Sequence, residues 1–210
     1  MLDEHCHIIW DVDDGADTQE ESLDMLAAAA RTGITQIVAT PHMRWSTFDD
    51  AKVRAHFDEL SAVALERHNI QMWLGYEVYY QTLLKKGLDV APRFVTEGTN
   101  ELLIEFNSGS AIPDGWEQTF YKLQSAHGLD LIVAHPERYT SVLADFSIVY
   151  KMKDMGCRLQ VSAGDLFGGL FSAPTRCAKR IIDEGLCDAL VSDAHCAAHY
   201  IDFEKALKKL

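Results

Sequence analysis

Short apolar, β-branched runs punctuate the chain at 2–8, 34–39, 70–78, 101–106, 129–134, 157–161 and 187–191, lengths that suit strands better than helices. Between most of them the apolar positions shift to helical spacing, over 18–31, 50–66, 116–126 and 175–183. Gly33, Gly128, Gly156 and Gly185 stand where helix C-caps belong, and Thr18-Gln19-Glu20-Glu21 reads as a capping box. Strand and helix alternating in this way predict repeated βαβ units and hence an α/β fold. A closed or nearly closed parallel barrel fits the pattern better than a sandwich, with an open doubly wound sheet as the alternative. No Pro/Gly/Ser-rich linker, repeat or low-complexity tract divides the chain, so 1–210 is read as a single domain. The least regular stretch is 163–174, with Gly164, Gly168 and Gly169, and it reads as a loop.

Composition narrows the function classes. The 210 residues are 48% hydrophobic and 24% charged, a globular balance that excludes disorder and fibres. Nineteen Lys and Arg against 32 Asp and Glu give a formal charge of −13, which repels nucleic-acid backbones and anionic membranes. The five cysteines are an odd number with no C-x-x-C spacing, an argument for a reduced compartment over a disulfide framework. The first residues carry no basic charge and the longest apolar run, 25–30, is far short of a membrane span, so the expectation is a cytoplasmic protein without membrane insertion.

The histidines and carboxylates fall at the ends of the expected strands. His5 and His7 close the first, His42 follows the second, Glu77 sits at the end of the third, and Glu105 ends the fourth. His135 follows the fifth, and Asp193 and His195 follow the seventh. In a parallel barrel these C-terminal ends gather on one face, so residues nearly 190 positions apart share a cavity. His5-x-His7 has the period-2 spacing that points both imidazoles to one side of a strand, with Cys6 facing away. Imidazole and carboxylate without thiolate suit manganese, iron or zinc, and carboxylates bridge pairs of ions. Asp11-Val12-Asp13-Asp14-Gly15 offers three carboxylates in the first loop, one of them a ligand and the alternative for the segment being a capped turn. Arg138, three residues past His135, is placed to clamp an oxyanion. His56, His68 and His127 lie in or near helical segments and read as solvated.

Competing motifs fail on their own residues. An aspartate-nucleophile phosphatase starting at Asp11 wants Thr or Val where Gly15 stands and leaves His5, His7 and His42 idle. An EF-hand starting there needs Gly and Glu where Ala16 and Ser22 stand. No arginine lies six residues beyond any cysteine, as a cysteine-based tyrosine phosphatase requires, and G-x-S-x-G is absent.

Six motifs together carry a family resemblance: His5-Cys6-His7, Asp13-Asp14-Gly15-Ala16, Thr40-Pro41-His42, Gly75-Tyr76-Glu77, His135-Pro136-Glu137-Arg138-Tyr139 and Ser192-Asp193-Ala194-His195. Over roughly residues 1–195 the chain resembles the polymerase and histidinol phosphatase (PHP) superfamily, and within it the bacterial manganese-dependent protein tyrosine phosphatases of capsule and exopolysaccharide operons. That resemblance implies a distorted seven-stranded parallel β/α barrel with three divalent ions. It puts His5, His7, Glu77 and Asp193 on the first ion, Glu77 with Glu105 and His135 on the second, and Asp14, His42 and His195 on the third. It thereby selects Asp14 among the loop carboxylates. It also implies attack on phosphotyrosine by a metal-activated hydroxide, with Arg138, Asp14 and His42 at the reacting centre and a bacterial tyrosine kinase tail as partner. With the ions in place the pocket is net positive on an acidic protein, which favours phosphate. A phenolate leaves without much help, so no general acid is assigned. Alternatives are a PHP phosphatase for a small molecule such as histidinol phosphate, and a metal-stabilised regulatory module without turnover. The chain departs from the family in its tail, 196–210, which holds no arginine where relatives place a second phosphate-contacting one. His199 is the candidate replacement, the alternative being a solvated histidine.

Overall fold

The computed structural model describes residues 1–44, 48–169 and 171–209, and divides them between two units. The first unit comprises Met1–Tyr76 with Val191–Leu210, and the second comprises Glu77–Leu190. Neither boundary coincides with a change in composition.

In the first unit, β1 (Leu2–Cys6), β2 (Gln36–Ala39) and β4 (Gln71–Leu74) form a parallel sheet in the order β1-β2-β4. Ile37, Val38 and Ala39 are buried in its middle strand, the continuous apolar run expected where helices cover a parallel sheet. Helix α1 (Gln19–Arg31) starts where its capping box dictates: the Thr18 hydroxyl accepts from the Glu21 amide at 3.2 Å, and the Glu21 carboxylate accepts from the Thr18 amide at 3.2 Å. Its buried face is Ser22, Met25, Leu26, Ala28 and Ala29. Helix α2 (Asp50–His68) buries Val53, Phe57, Leu60 and Ala64, runs two residues further than its sequence pattern suggests, and stops at Asn69 in the left-handed conformation. The two-residue strand β3 (His42–Met43) and the terminal helix α8 (His199–Leu207) complete the unit.

In the second unit, β5 (Glu77–Tyr79), β6 (Glu101–Glu105), β7 (Asp130–Ala134) and β8 (Arg158–Ser162) pair in that order, all parallel. Strand β9 (Ala189–Val191) ends at the unit boundary. The helices are α3 (Tyr80–Lys86), α4 (Trp116–His127), α5 (Thr140–Ala144), α6 (Ser147–Asp154) and α7 (Ala173–Asp183). Tyr80, Phe106, Trp116 and Phe120 form an aromatic cluster, with Phe106 stacked on Phe120 at 5.7 Å. Gly33, Gly128, Gly156 and Gly185 have φ of 85°, 65°, 78° and 69°, the left-handed caps expected of them.

The strand count corrects the expectation. Among the described residues nine strands lie in two parallel sheets, of three and six strands, where seven strands in one barrel were expected. Two of the nine are new. The run 70–78 is two strands, because the chain leaves the first sheet at Gly75, whose amide still donates to Ala39 at 2.9 Å, and begins β5 in the other sheet at Glu77. Strand β3 is too short to show any periodicity. The segment 163–174 is also more regular than a loop: a 3-10 helix occupies Ala163–Phe167 and α7 begins at Ala173, while Leu170 lies outside the described residues.

Candidate metal centre

Within the first unit, residues 192–195 run alongside residues 5–7 although almost the whole chain separates them. The Asp193 amide donates to the His5 carbonyl at 2.9 Å, the His7 amide donates to the Ala194 carbonyl at 2.8 Å, and Cys6 bridges Ala194 in parallel. A buried carboxylate fixes this register: Asp3 accepts from the Ser192 amide at 3.0 Å and its hydroxyl at 2.6 Å. Burial pushes the Asp3 pKa up to about 6, against the pull of those two bonds. Strand β1 also carries a register irregularity between Asp3 and Cys6, next to His5.

This frame brings six of the expected residues together. One group is His5, His7 and Asp193, with the two Nε2 atoms 3.3 Å apart and Asp193 Oδ1 3.6 Å from each. The other is His7, Asp14, His42 and His195, with Asp14 Oδ1 3.2 Å from His42 and 3.6 Å from His195. His7 belongs to both, its ring stacked on His195 at 4.0 Å and tilted against His42 at 4.4 Å. The imidazoles of His195 and His42 beside it hold the Asp14 carboxyl well below the usual range. In each group the ligand atoms lie within 4.8 Å of one another, the scale of a metal cluster.

Asp13, the neighbour of Asp14 that the family pattern does not select, sets the chemistry of His7. Its Oδ2 accepts from His7 Nδ1 at 2.7 Å and from the His42 amide at 2.9 Å, and its Oδ1 accepts from the Gly15 amide at 3.0 Å. Burial opposes its charge, but these donors, led by His7, keep its pKa below the ordinary value. A proton held on Nδ1 leaves the Nε2 lone pair of His7 directed at its neighbours, the arrangement of a metal-binding imidazole backed by a carboxylate. Gly15 permits the loop to close: a Cβ there would stand 2.0 Å from the His7 carbonyl oxygen. The donor set and tautomer thus fit a divalent cation.

In the second unit, Glu77 opens β5 instead of ending a strand and is fully buried, with Oε1 2.8 Å from His135 Nε2. A carboxylate oxygen of Glu77 also lies within 4.8 Å of one of Glu105, the last residue of β6. His135 follows β7 and packs edge-on to Tyr139, whose hydroxyl donates to Ala134 and accepts from the Phe106 amide at 3.1 Å. His135 and Asp193 both have left-handed backbone, with φ of 29° and 47°. Arg138 is anchored, its Nε donating to Asp165 at 2.6 Å and Nη2 to Ser162 at 2.9 Å. Buried Glu137 accepts from the Ser162 amide at 2.8 Å and fastens the same turn to the end of β8.

Other expectations need correction. His56 is half-buried, not solvated: its ring stacks on Trp10 at 4.3 Å and its Nδ1 bonds the Trp10 carbonyl oxygen at 2.9 Å. His68 and His127 are half-buried too, and His127 lies 3.6 Å from Asp89. His199 is exposed and accepts from the His195 amide at 3.1 Å, which makes it a prop for a candidate ligand's backbone.

A family described as capsular polysaccharide synthesis, CpsB/CapC, matches residues 1–202. The chain belongs to this family. Relatives of this CpsB/CapC protein include the tyrosine-protein phosphatase YwqE of Bacillus subtilis, 32% identical over 200 residues that cover 93% of this chain and 77% of YwqE. The tyrosine-protein phosphatase CpsB of Streptococcus agalactiae serotype III (strain NEM316) is 29% identical over 205 residues, covering 93% and 83%. A chain from the crystal structures of YwqE from Bacillus subtilis and CpsB from Streptococcus pneumoniae, described as metal-dependent tyrosine phosphatases, superposes with a TM-score of 0.85 at 31% identity, covering 100% of this chain and 87% of its own. Among the described residues no helix is long and apolar enough to cross a membrane.

Proposed function

We propose that this CpsB/CapC chain is a metal-dependent protein tyrosine phosphatase acting in the cytoplasm on a bacterial tyrosine kinase that controls capsule or exopolysaccharide synthesis. The observation that supports it most is the donor set around His7, a tautomer-fixed imidazole among three further histidines and two carboxylates. Nine residues serve as ligands: His5, His7, Asp14, His42, Glu77, Glu105, His135, Asp193 and His195. The family pattern makes them holders of three divalent ions, with manganese preferred and iron or zinc compatible with the same donors. When bound, such ions neutralise phosphoryl charge and lower the pKa of water.

The chain's own groups do the rest. Asp13 keeps the His7 proton on Nδ1, and Asp14 and His42 hold their donor atoms at the reacting end. Arg138 donates to a phosphoryl oxygen, its guanidinium oriented by Asp165. Thiolate attack by Cys157, Cys177 or Cys187 is disfavoured because burial pushes Cys157 and Cys177 up to about 12 and Cys187 to about 11. The phenolate of tyrosine, with a pKa of about 10, leaves without a strong general acid.

Phosphate release from a phosphotyrosyl peptide and from histidinol phosphate, each with and without manganese, tests this reading. Manganese-dependent release from the peptide is expected. Preference for histidinol phosphate makes the chain a small-molecule phosphatase, and release from neither makes it a metal-bound regulatory module.

A further inference from the structure

Arg44 follows β3 by one residue and places its guanidinium against two of the proposed ligands of the first unit. Its Nη2 donates to His42 Nε2 at 3.0 Å, and its Nη1 lies 3.6 Å from Asp14 Oδ2. A ring-nitrogen lone pair serves one partner at a time, so a cation bound through His42 Nε2 takes the place of this hydrogen bond and repels the guanidinium by its charge. Arg44 has somewhere to go. Its side chain is 42% exposed and borders a cavity of about 440 Å³ that Asp13, Asp14, His42 and Lys52 also line. Lys52, the cavity's other cation, is bonded to Asp11 at 2.6 Å, whereas Arg44 is bonded to groups that an ion would claim.

We infer that Arg44 is a phosphate-binding residue, turning from His42 and Asp14 onto the phosphoryl oxygens of the substrate when an ion occupies those ligands. This rests on the phosphatase reading above. The planar fork of arginine matches two phosphoryl oxygens at once.

Manganese-loaded wild type, Arg44→Ala and Arg44→Lys are compared by calorimetric titration with inorganic phosphate and by competition with a chelator for manganese. Arg44→Ala is expected to weaken phosphate binding about ten- to a hundredfold, the worth of a charge-assisted contact, with Arg44→Lys in between. It is also expected to bind manganese more tightly, because a competitor for the His42 lone pair has gone. Unchanged phosphate affinity in Arg44→Ala overturns the inference, and so does loss of manganese, which would make Arg44 a support for His42. Neither measurement uses turnover. A wild type that binds phosphate through Arg44 yet leaves phosphotyrosyl peptide intact refutes the tyrosine phosphatase reading and leaves the Arg44 site standing.

Discussion

Replacing Asp13 by asparagine removes one charge while keeping the side chain's shape, and the donors around it determine the outcome. Three N–H groups converge on this carboxylate, His7 Nδ1 and the His42 amide on one oxygen and the Gly15 amide on the other. An asparagine has only one acceptor oxygen. If that oxygen serves His7 and His42, its NH2 group faces the Gly15 amide, donor against donor. If it serves Gly15, the NH2 group faces the His42 amide and drives His7 to accept at Nδ1, which moves the proton to Nε2 and removes the lone pair an ion needs. Substitutions of carboxylates behind metal-bound histidines cost about ten- to a hundredfold in ion affinity, or about 1.4–2.7 kcal/mol. Competition between the protein and a fluorescent chelator for manganese measures this directly. Asp11→Asn is the control, since Asp11 lies at the surface of the same loop and pairs with exposed Lys52. Manganese affinity in Asp13→Asn within twofold of wild type, alongside its loss in His7→Ala, would refute the argument that Asp13 sets the His7 tautomer.

Chelation of the loaded protein should lower its melting temperature, because ions present at a hundred times their dissociation constant contribute about 2.7 kcal/mol each, and an unmoved transition in differential scanning fluorimetry would show that the ligand groups hold none. Gly15→Ala should destabilise the fold by at least about 1–3 kcal/mol and lose ion binding, since the new Cβ lands 2.0 Å from the His7 carbonyl oxygen; a normal urea midpoint would show that the loop yields. Arg138→Ala should retain the ions by mass spectrometry but lose roughly 2–4 kcal/mol of transition-state stabilisation in kcat/KM, and equal turnover would dismiss its phosphate role. Cys157 is 1% exposed and its thiol is pushed up to about 12, whereas an unfolded thiol ionises near 8.5. The native state therefore keeps its proton longer, so this contribution is complete below about pH 8.5 and declines at about 1.4 kcal/mol per pH unit above it. Urea unfolding at pH 8 and pH 10 should show Cys157→Ala losing less stability over that interval than wild type.

The parts of this molecule that are legible in its sequence are those set by local chemistry. The Thr18 and Glu21 capping box, the four glycine caps and the long helices follow from the order of neighbouring side chains, and the ligand types follow from histidines and acids at strand ends. The parts that escape are set at a distance. Nothing adjacent to Gly75 marks the transfer of the chain from one sheet to the other, so two strands read as one. Asp13 and Asp14 are chemically equivalent in sequence, and only the positions of His7 and His42 give them different tasks. The importance of Arg44 depends on where its guanidinium lies, and that of Asp165 on an arginine 27 residues away.

His135 and Asp193 combine a candidate donor with left-handed backbone, a conformation that costs a side-chain-bearing residue on the order of 1 kcal/mol and glycine almost nothing. A laboratory evolution campaign on this scaffold scored by expression or heat tolerance alone would therefore gain backbone relaxation from glycine at either position, set against the lost packing of a buried side chain, and any clone in which the relaxation won would have discarded a ligand. Libraries need to be grown under a challenge that only a loaded protein survives, such as heating in the presence of a competing chelator, so that backbone relaxation at these two residues counts against a clone.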